Sequence, residues 1–151
     1  MKISVGSDER NSVTDSVLAE LKKRGHELHL YGPLAGIPEG WAKVARRVAE
    51  DVAGQRAQEG VLFCWTGTGV SMAANKVPGV RAALCVDPET ARGARRWNNA
   101  NLLCLSLRNT SEAVAKEILE AWLSASYQPN PVDDAHLREL ESLESDRPVK
   151  R

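Results

Sequence analysis

Two kinds of apolar run alternate along this chain. Lys2–Gly6 is a short strand-like run that stops at Gly-Ser-Asp. Gly60–Cys64 and Val80–Val86 are unbroken apolar runs, the pattern of strands buried on both faces. Glu27–Tyr31 and Leu102–Leu107 complete five predicted strands. Between them, apolar residues recur at helical spacing. Val13, Val17, Leu18 and Leu21 mark a helix over Val13–Lys23, with Ser12 as its expected N-cap and Gly25 as its terminator. Trp41, Val44, Val48 and Val52 mark a second over Glu39–Ala53, after a Gly-Pro-rich loop at Gly32–Gly36. Val70–Asn75 predicts a short helix. Asp87-Pro88 caps another through Arg96. Val114, Ile118 and Trp122 face inward on a helix over Ser111–Ser124.

Strands alternating with helices predict a doubly wound α/β protein, its five-stranded parallel sheet covered on both faces. One domain is expected over residues 1–128. A C-terminal extension, 129–144, holds a charged helix from Asp133 to Leu143 and is expected to pack on the domain or on a partner subunit. The polar stretch 145–151 is expected to be disordered.

Composition narrows the class. With 42% apolar and 26% charged residues, the chain matches an ordinary globular domain. Twenty basic and twenty acidic residues cancel, so neither nucleic acid nor a membrane surface is expected as a partner. Cys64, Cys85 and Cys104 are odd in number, widely spaced and set in apolar runs. That suits reduced thiols rather than disulfides or a metal site. No metal or cofactor is called for. Met1 leads straight into a strand, and no apolar run approaches 18 residues, so a cytoplasmic location is expected.

In open parallel sheets ligands bind at the carboxyl ends of the strands. The segment there with chemistry to offer is Cys64-Trp65-Thr66-Gly67-Thr68-Gly69. Its glycines permit a tight turn whose backbone N–H groups can face an oxyanion. A thiol beside a helix start is favoured as thiolate, and so as a base. On residue types alone, a core cysteine beside a tight turn is an equal alternative. Asp8, Glu9 and Arg10 follow the first strand and Arg108 follows the fifth. Trp97 can serve a pocket or the core. Trp41 and Trp122 are expected in the core, Cys85 and Cys104 as inert packing, and His26 and His29 away from the rim.

The stretch Gly60–Gly69, continued by Ser71–Cys85 with its Ala73-Ala74-Asn75-Lys76-Val77-Pro78-Gly79, resembles the ribose-5-phosphate isomerase B family, which includes the galactose-6-phosphate isomerase subunits. Gly6-Ser7-Asp8, Asp87-Pro88-x-Thr90-Ala91 and Asn98-x-Ala100-Asn101 extend the likeness over roughly residues 1–125. The resemblance implies a Rossmann-like three-layer sandwich that acts as an aldose–ketose isomerase. The proton would move between C1 and C2 through an enediolate, without metal. It further implies a homodimer or homotetramer with the site at the subunit interface. By the same resemblance, Cys64 is the base, Thr66 assists at the sugar ring, and the amides of Gly67, Thr68 and Gly69 hold the oxyanion.

The chain departs from the family's pattern at defined places. Its first loop reads Asp8-Glu9-Arg10 where the family has Gly-x-Asp-His-Ala, and Gly36-Ile37-Pro38 replaces Asp-Tyr-Pro. Trp65 replaces a glycine. Trp97 stands before Asn98 where the family has a histidine credited with ring opening. The C-terminal phosphate-gripping arginines are reduced to Arg138 beside His136, while Arg108 persists. A conserved base and cradle with a rebuilt recognition shell implies an isomerase of an atypical substrate. The alternatives are a proton-transfer enzyme for a non-sugar metabolite, or a non-catalytic small-molecule-binding subunit.

Overall fold

The computed structural model describes residues 1–145. Five strands, β1 (Lys2–Ser7), β2 (Glu27–Tyr31), β3 (Glu59–Cys64), β4 (Ala82–Leu84) and β5 (Leu102–Ser106), form one sheet in the order β2-β1-β3-β5-β4. Every neighbouring pair is parallel. The helices are α1 (Ser12–Lys23), α2 (Trp41–Ala53), α3 (Thr68–Ala74), α4 (Pro88–Asn98), α5 (Glu112–Ser124) and α6 (Pro131–Ser145). This is the expected α/β three-layer sandwich.

Alternation along the central strands divides the core in two. Ile3, Val5, Val61, Phe63, Leu103 and Leu105 pack against α1, α4 and α5, where Trp122 is fully buried. Leu62, Cys64, Leu102 and Cys104 pack against α2 and α3. Two carboxylates are buried with their donors. Asp51, in the last turns of α2, accepts from Ser4 Oγ at 2.6 Å, Tyr31 Oη at 2.8 Å and Arg56 Nε at 2.7 Å. Glu59, opening β3, accepts from Arg95 at 2.6 Å and from Trp122 Nε1 at 2.7 Å.

Several boundaries differ from expectation. The N-cap of α1 is Asn11, not Ser12: its side chain accepts from the amides of Val13 and Thr14, and Thr14 Oγ1 accepts from the Asn11 amide at 3.0 Å. A hydroxyl three residues on closes a capping box that Ser12 cannot form. Gly25 terminates the helix as predicted, at φ +79°. β4 is three half-buried residues at the sheet edge, not a strand from Val80 to Val86 buried on both faces. Val86 is exposed. α4 runs two residues beyond Arg96 and so carries Trp97 and Asn98. α6 is longer than predicted, and Ser145 belongs to it; residues 146–151 of the expected tail lie outside the described residues. No helix among the described residues is long and apolar enough to cross a membrane.

Candidate active site

The chain leaves β1 for β2 on one side and returns to β3 on the other. The carboxyl ends of β1 and β3 therefore diverge into loops of opposite direction, which opens a crevice between them. A cleft of about 350 Å³ lies there. Asp8 enters it from the exit of β1, Cys64 from the end of β3, and Trp65 and Thr66 from the following turn. Thr68, Gly69 and Met72 of α3 and Trp41 of α2 complete the wall.

The turn is built by backbone constraints. Gly67 caps α3 at φ +76°. A Cβ there would also lie 2.5 Å from Leu84 Cδ1 and 3.0 Å from the Leu105 carbonyl carbon, so only glycine fits. The Trp65 carbonyl accepts from Ser106 Oγ and from the Arg108 amide, both at 2.9 Å. These bonds fix the turn to the end of β5. Among the described residues, the amides of Gly67, Thr68 and Gly69 have no protein acceptor, as the first N–H groups of a helix require. Thr66 and Thr68 hydroxyls bond each other at 2.7 Å.

Cys64 is 5% exposed and pairs in register with Ser106, yet it borders the cleft. Cys85 and Cys104 do not line the cleft. Burial, with the nearby Asp87 charge, pushes Cys85 up to about 12, and burial likewise raises Cys104. Neither supplies a thiolate at neutral pH. Burial also raises the Asp8 carboxyl above the ordinary carboxylate value; a bond from its own backbone amide opposes the rise and the Glu9 charge adds to it. Asp8 Oδ1 is buried and unpartnered among the described residues.

The remaining expected site residues are spread out. Glu9 and Arg10 are exposed, and Arg10 pairs with Asp15 at 2.8 Å rather than with Glu9. Arg108 is exposed just past β5, outside the cleft wall. Because α4 runs antiparallel to the strands, Trp97 and Asn98 sit at the opposite end of the sheet from Cys64. Trp97 is 63% exposed, in neither core nor cleft, with its ring against Gly93. Asn98 lines a second cavity of about 600 Å³ that shares Met72 with the first. Arg138 lines a third, of about 360 Å³, between α6 and Arg81. No group of three or more His, Cys, Asp or Glu among the described residues is placed to hold a metal.

Comparison with known proteins agrees with this architecture. The family described as Ribose/Galactose Isomerase matches residues 3–142. The chain belongs to the ribose/galactose isomerase family. It is 36% identical over 128 residues to ribose-5-phosphate isomerase B of Escherichia coli, covering 84% of this chain and 86% of that one. It is 35% identical over 135 residues to D-erythrulose-4-phosphate isomerase of Pectobacterium atrosepticum, covering 85% and 86%. The solved structure of ribose-5-phosphate isomerase B from Clostridium thermocellum superimposes with a TM-score of 0.90 at 34% identity, over 96% of this chain and 98% of that one.

Two members of the cleft wall escape the sequence. Trp41, expected in the core, is 44% exposed: as the first residue of α2 it precedes the stretch that packs on the sheet. Its ring lies on Gly69, where a Cβ would come within 3.0 Å of Trp41 Cε3. One signal was available. In a parallel sheet every helix starts at the carboxyl edge, so first-turn residues border the ligand crevice. Met72, one turn after Gly69 on α3, follows the same logic.

Proposed function

We propose that this member of the family is an aldose–ketose isomerase of a small sugar or sugar phosphate, with Cys64 as its base. The observation that carries it is the Cys64 thiol bordering a cleft beside three amides that have no acceptor among the described residues. As thiolate, Cys64 takes the proton from C2 of an open-chain aldose. The electron pair of that C–H bond forms the C1–C2 double bond, and the carbonyl oxygen on C1 becomes an oxyanion. The amides of Gly67, Thr68 and Gly69 donate to it, in place before the charge develops. The thiol returns its proton to C1 while the proton on O2 passes to O1, leaving the ketose. Thr66 and Asp8 orient hydroxyls. A substrate that arrives open-chain needs no imidazole to open a ring, which suits a chain with Trp97 in place of the family's histidine. A four-carbon chain is within this range, as the name of the Pectobacterium relative illustrates.

The substrate is atypical on this reading, because Glu9, Trp65 and Trp97 replace the family's usual residues around a retained base. A second copy of the chain completes the site in a homodimer or homotetramer, bringing Trp97, Asn98 and Arg138 to the cleft. Three buried, unpaired cysteines suit the reducing cytoplasm. Solvent exchange tests the chemistry. In deuterated water the protein should place deuterium on carbon in short aldoses or their phosphates. Cys64→Ala should lower the rate by at least about 10²-fold with the fold intact by circular dichroism. Exchange unchanged in that variant removes Cys64 as base. Sugar binding without exchange in the native protein leaves a binding subunit instead.

A further inference from the structure

Gly69 is a glycine that its backbone does not require. It lies in the first turn of α3, and its φ is not among the positive ones of the described residues. Any L-residue can take that conformation. What excludes a side chain there is Trp41. A Cβ on Gly69 would lie 3.0 Å from Trp41 Cε3, 3.1 Å from Cδ2 and 3.3 Å from Cζ3, three consecutive atoms of the six-membered ring. Those separations are inside the contact distance of two carbons. The indole therefore rests directly on the main chain of the turn whose amides face the cleft.

Trp41 is itself braced. Gly40 caps α2 without a side chain, and Glu39 before it reaches along the helix instead. The Glu39 carboxylate is 5% exposed, accepts from Arg47 Nη1 at 2.8 and 3.0 Å and pairs with Lys43 at 3.2 Å. The Arg47 guanidinium in turn lies 4.6 Å from the centre of the Tyr31 ring. On its other side the cleft turn is held by the Trp65 carbonyl, through Ser106 and Arg108, and by the close fit of Gly67 against Leu84. The amides of Gly67, Thr68 and Gly69 are thus gripped between β5 and one indole. All these groups belong to one chain, so the grip is the same whichever partner and ligand complete the site.

We propose that Trp41 is a positioning residue for the isomerisation: through the main chain of Gly69 it holds the amides where the C1 oxyanion develops. The assignment rests on the isomerase reading of the same site. Donors to a developing charge lower the barrier when their positions are fixed beforehand, and a displacement of about 1 Å costs up to about 10²-fold. Loss of the indole should therefore appear in kcat, whereas loss of a contact made equally to the bound sugar and to the transition state would appear in KM.

The test uses the full chain with D-ribose 5-phosphate, D-erythrose 4-phosphate and the two free sugars; the one that the native protein turns over fastest is carried through the variants. Trp41→Ala should lower kcat about tenfold with KM within about twofold, and Trp41→Phe should recover most of the loss. Gly69→Ala keeps the amide but sets a methyl group against the indole. It should lower kcat about tenfold in the native background and less than about twofold beside Trp41→Ala, where the obstacle is gone. Near-ultraviolet circular dichroism checks that each variant is folded. Where Trp41→Ala does not fold, Gly69→Ala with and without Trp41→Phe decides the same question, because the smaller ring relieves the contact. A rise in KM at constant kcat, or an equal effect of Gly69→Ala in both backgrounds, overturns the assignment; turnover that still requires Cys64 then leaves the isomerase reading standing. The predicted dependence on Trp41 in a protein whose turnover survives Cys64→Ala does the reverse. No turnover of any of the four sugars refutes both.

Discussion

Asp8 combines features that folding alone does not favour: a carboxyl held above its ordinary pKa by burial, and an oxygen with no donor among the described residues. Such a group costs stability and persists where function requires it. The cost has a pH signature. The folded chain holds the Asp8 proton more tightly than the unfolded chain does. Below the ordinary carboxylate pKa both states are protonated, and Asp8 adds no pH dependence. As pH rises past that value the unfolded state ionises first, and the native state loses stability until Asp8 itself ionises. Asp8→Asn removes this loss. Urea denaturation should show the variant gaining on the native protein as pH rises past the ordinary carboxylate value, about 4, and level once Asp8 has ionised in the native state. A difference that stays flat with pH would show that the carboxyl titrates normally. At this scale the sequence was legible where backbone geometry dictates residue type. The Cys64–Gly69 turn stood out because Gly67 occupies a left-handed position that also excludes a Cβ. Trp41 was not legible, because an apolar residue at helical spacing reads the same whether its turn packs on the sheet or overhangs its edge.

Among elements, α2 is tied to β1 and β2 by a buried carboxylate as well as by apolar packing. Burial by itself would push Asp51 up, but donors from Ser4, Arg56 and Tyr31 outweigh it and hold the carboxyl below its ordinary value. Those donors come from β1, from the segment after α2 and from β2, so one carboxylate ties three pieces of chain together. Removing it leaves the Ser4 hydroxyl without its acceptor and Tyr31 Oη with only the longer contact to His29 Nδ1 at 3.4 Å. Asp51→Ala should therefore cost about 3 kcal/mol. Arg56→Ala should cost under about 1 kcal/mol, because the Arg56 side chain is 61% exposed and its pair is screened by water. Comparable losses in urea denaturation would deny Asp51 this role. The sequence foretold the elements themselves, since the periodicities of strand and helix are local. It over-read β4 as a long buried strand, because an apolar run does not reveal that its strand lies at the edge with one neighbour. Asp51 itself passed unnoticed in a helical pattern whose apolar residues drew the reading.

For the whole molecule, α6 is the element that a single chain does not explain. Its start is fastened by Asn130 Oδ1, which accepts the Asp133 amide at 2.9 Å, and its end by Glu144, which accepts the Gly79 amide at 2.9 and 3.0 Å. No residue of α6 is buried, and Val132, Leu140 and Leu143 are 66%, 45% and 56% exposed. A helix of 15 residues is marginal in water without tertiary packing, so these apolar residues call for a covering surface. The surface proposed is a second copy. Leu140 and Leu143 line the cavity that holds Asn98 and meets the candidate cleft at Met72. A partner seated there would extend the site rather than merely enlarge the molecule. Two carboxylates placed on that face would have to be desolvated on association, which opposes it strongly. The chain carrying Leu140→Glu and Leu143→Glu should sediment as a single chain while the native protein sediments as two or four. The α/β domain should stay folded in near-ultraviolet circular dichroism, because neither side chain is buried within one protomer. A native protein that already sediments as one chain, or a variant that keeps the native mass, would place the interface elsewhere or nowhere.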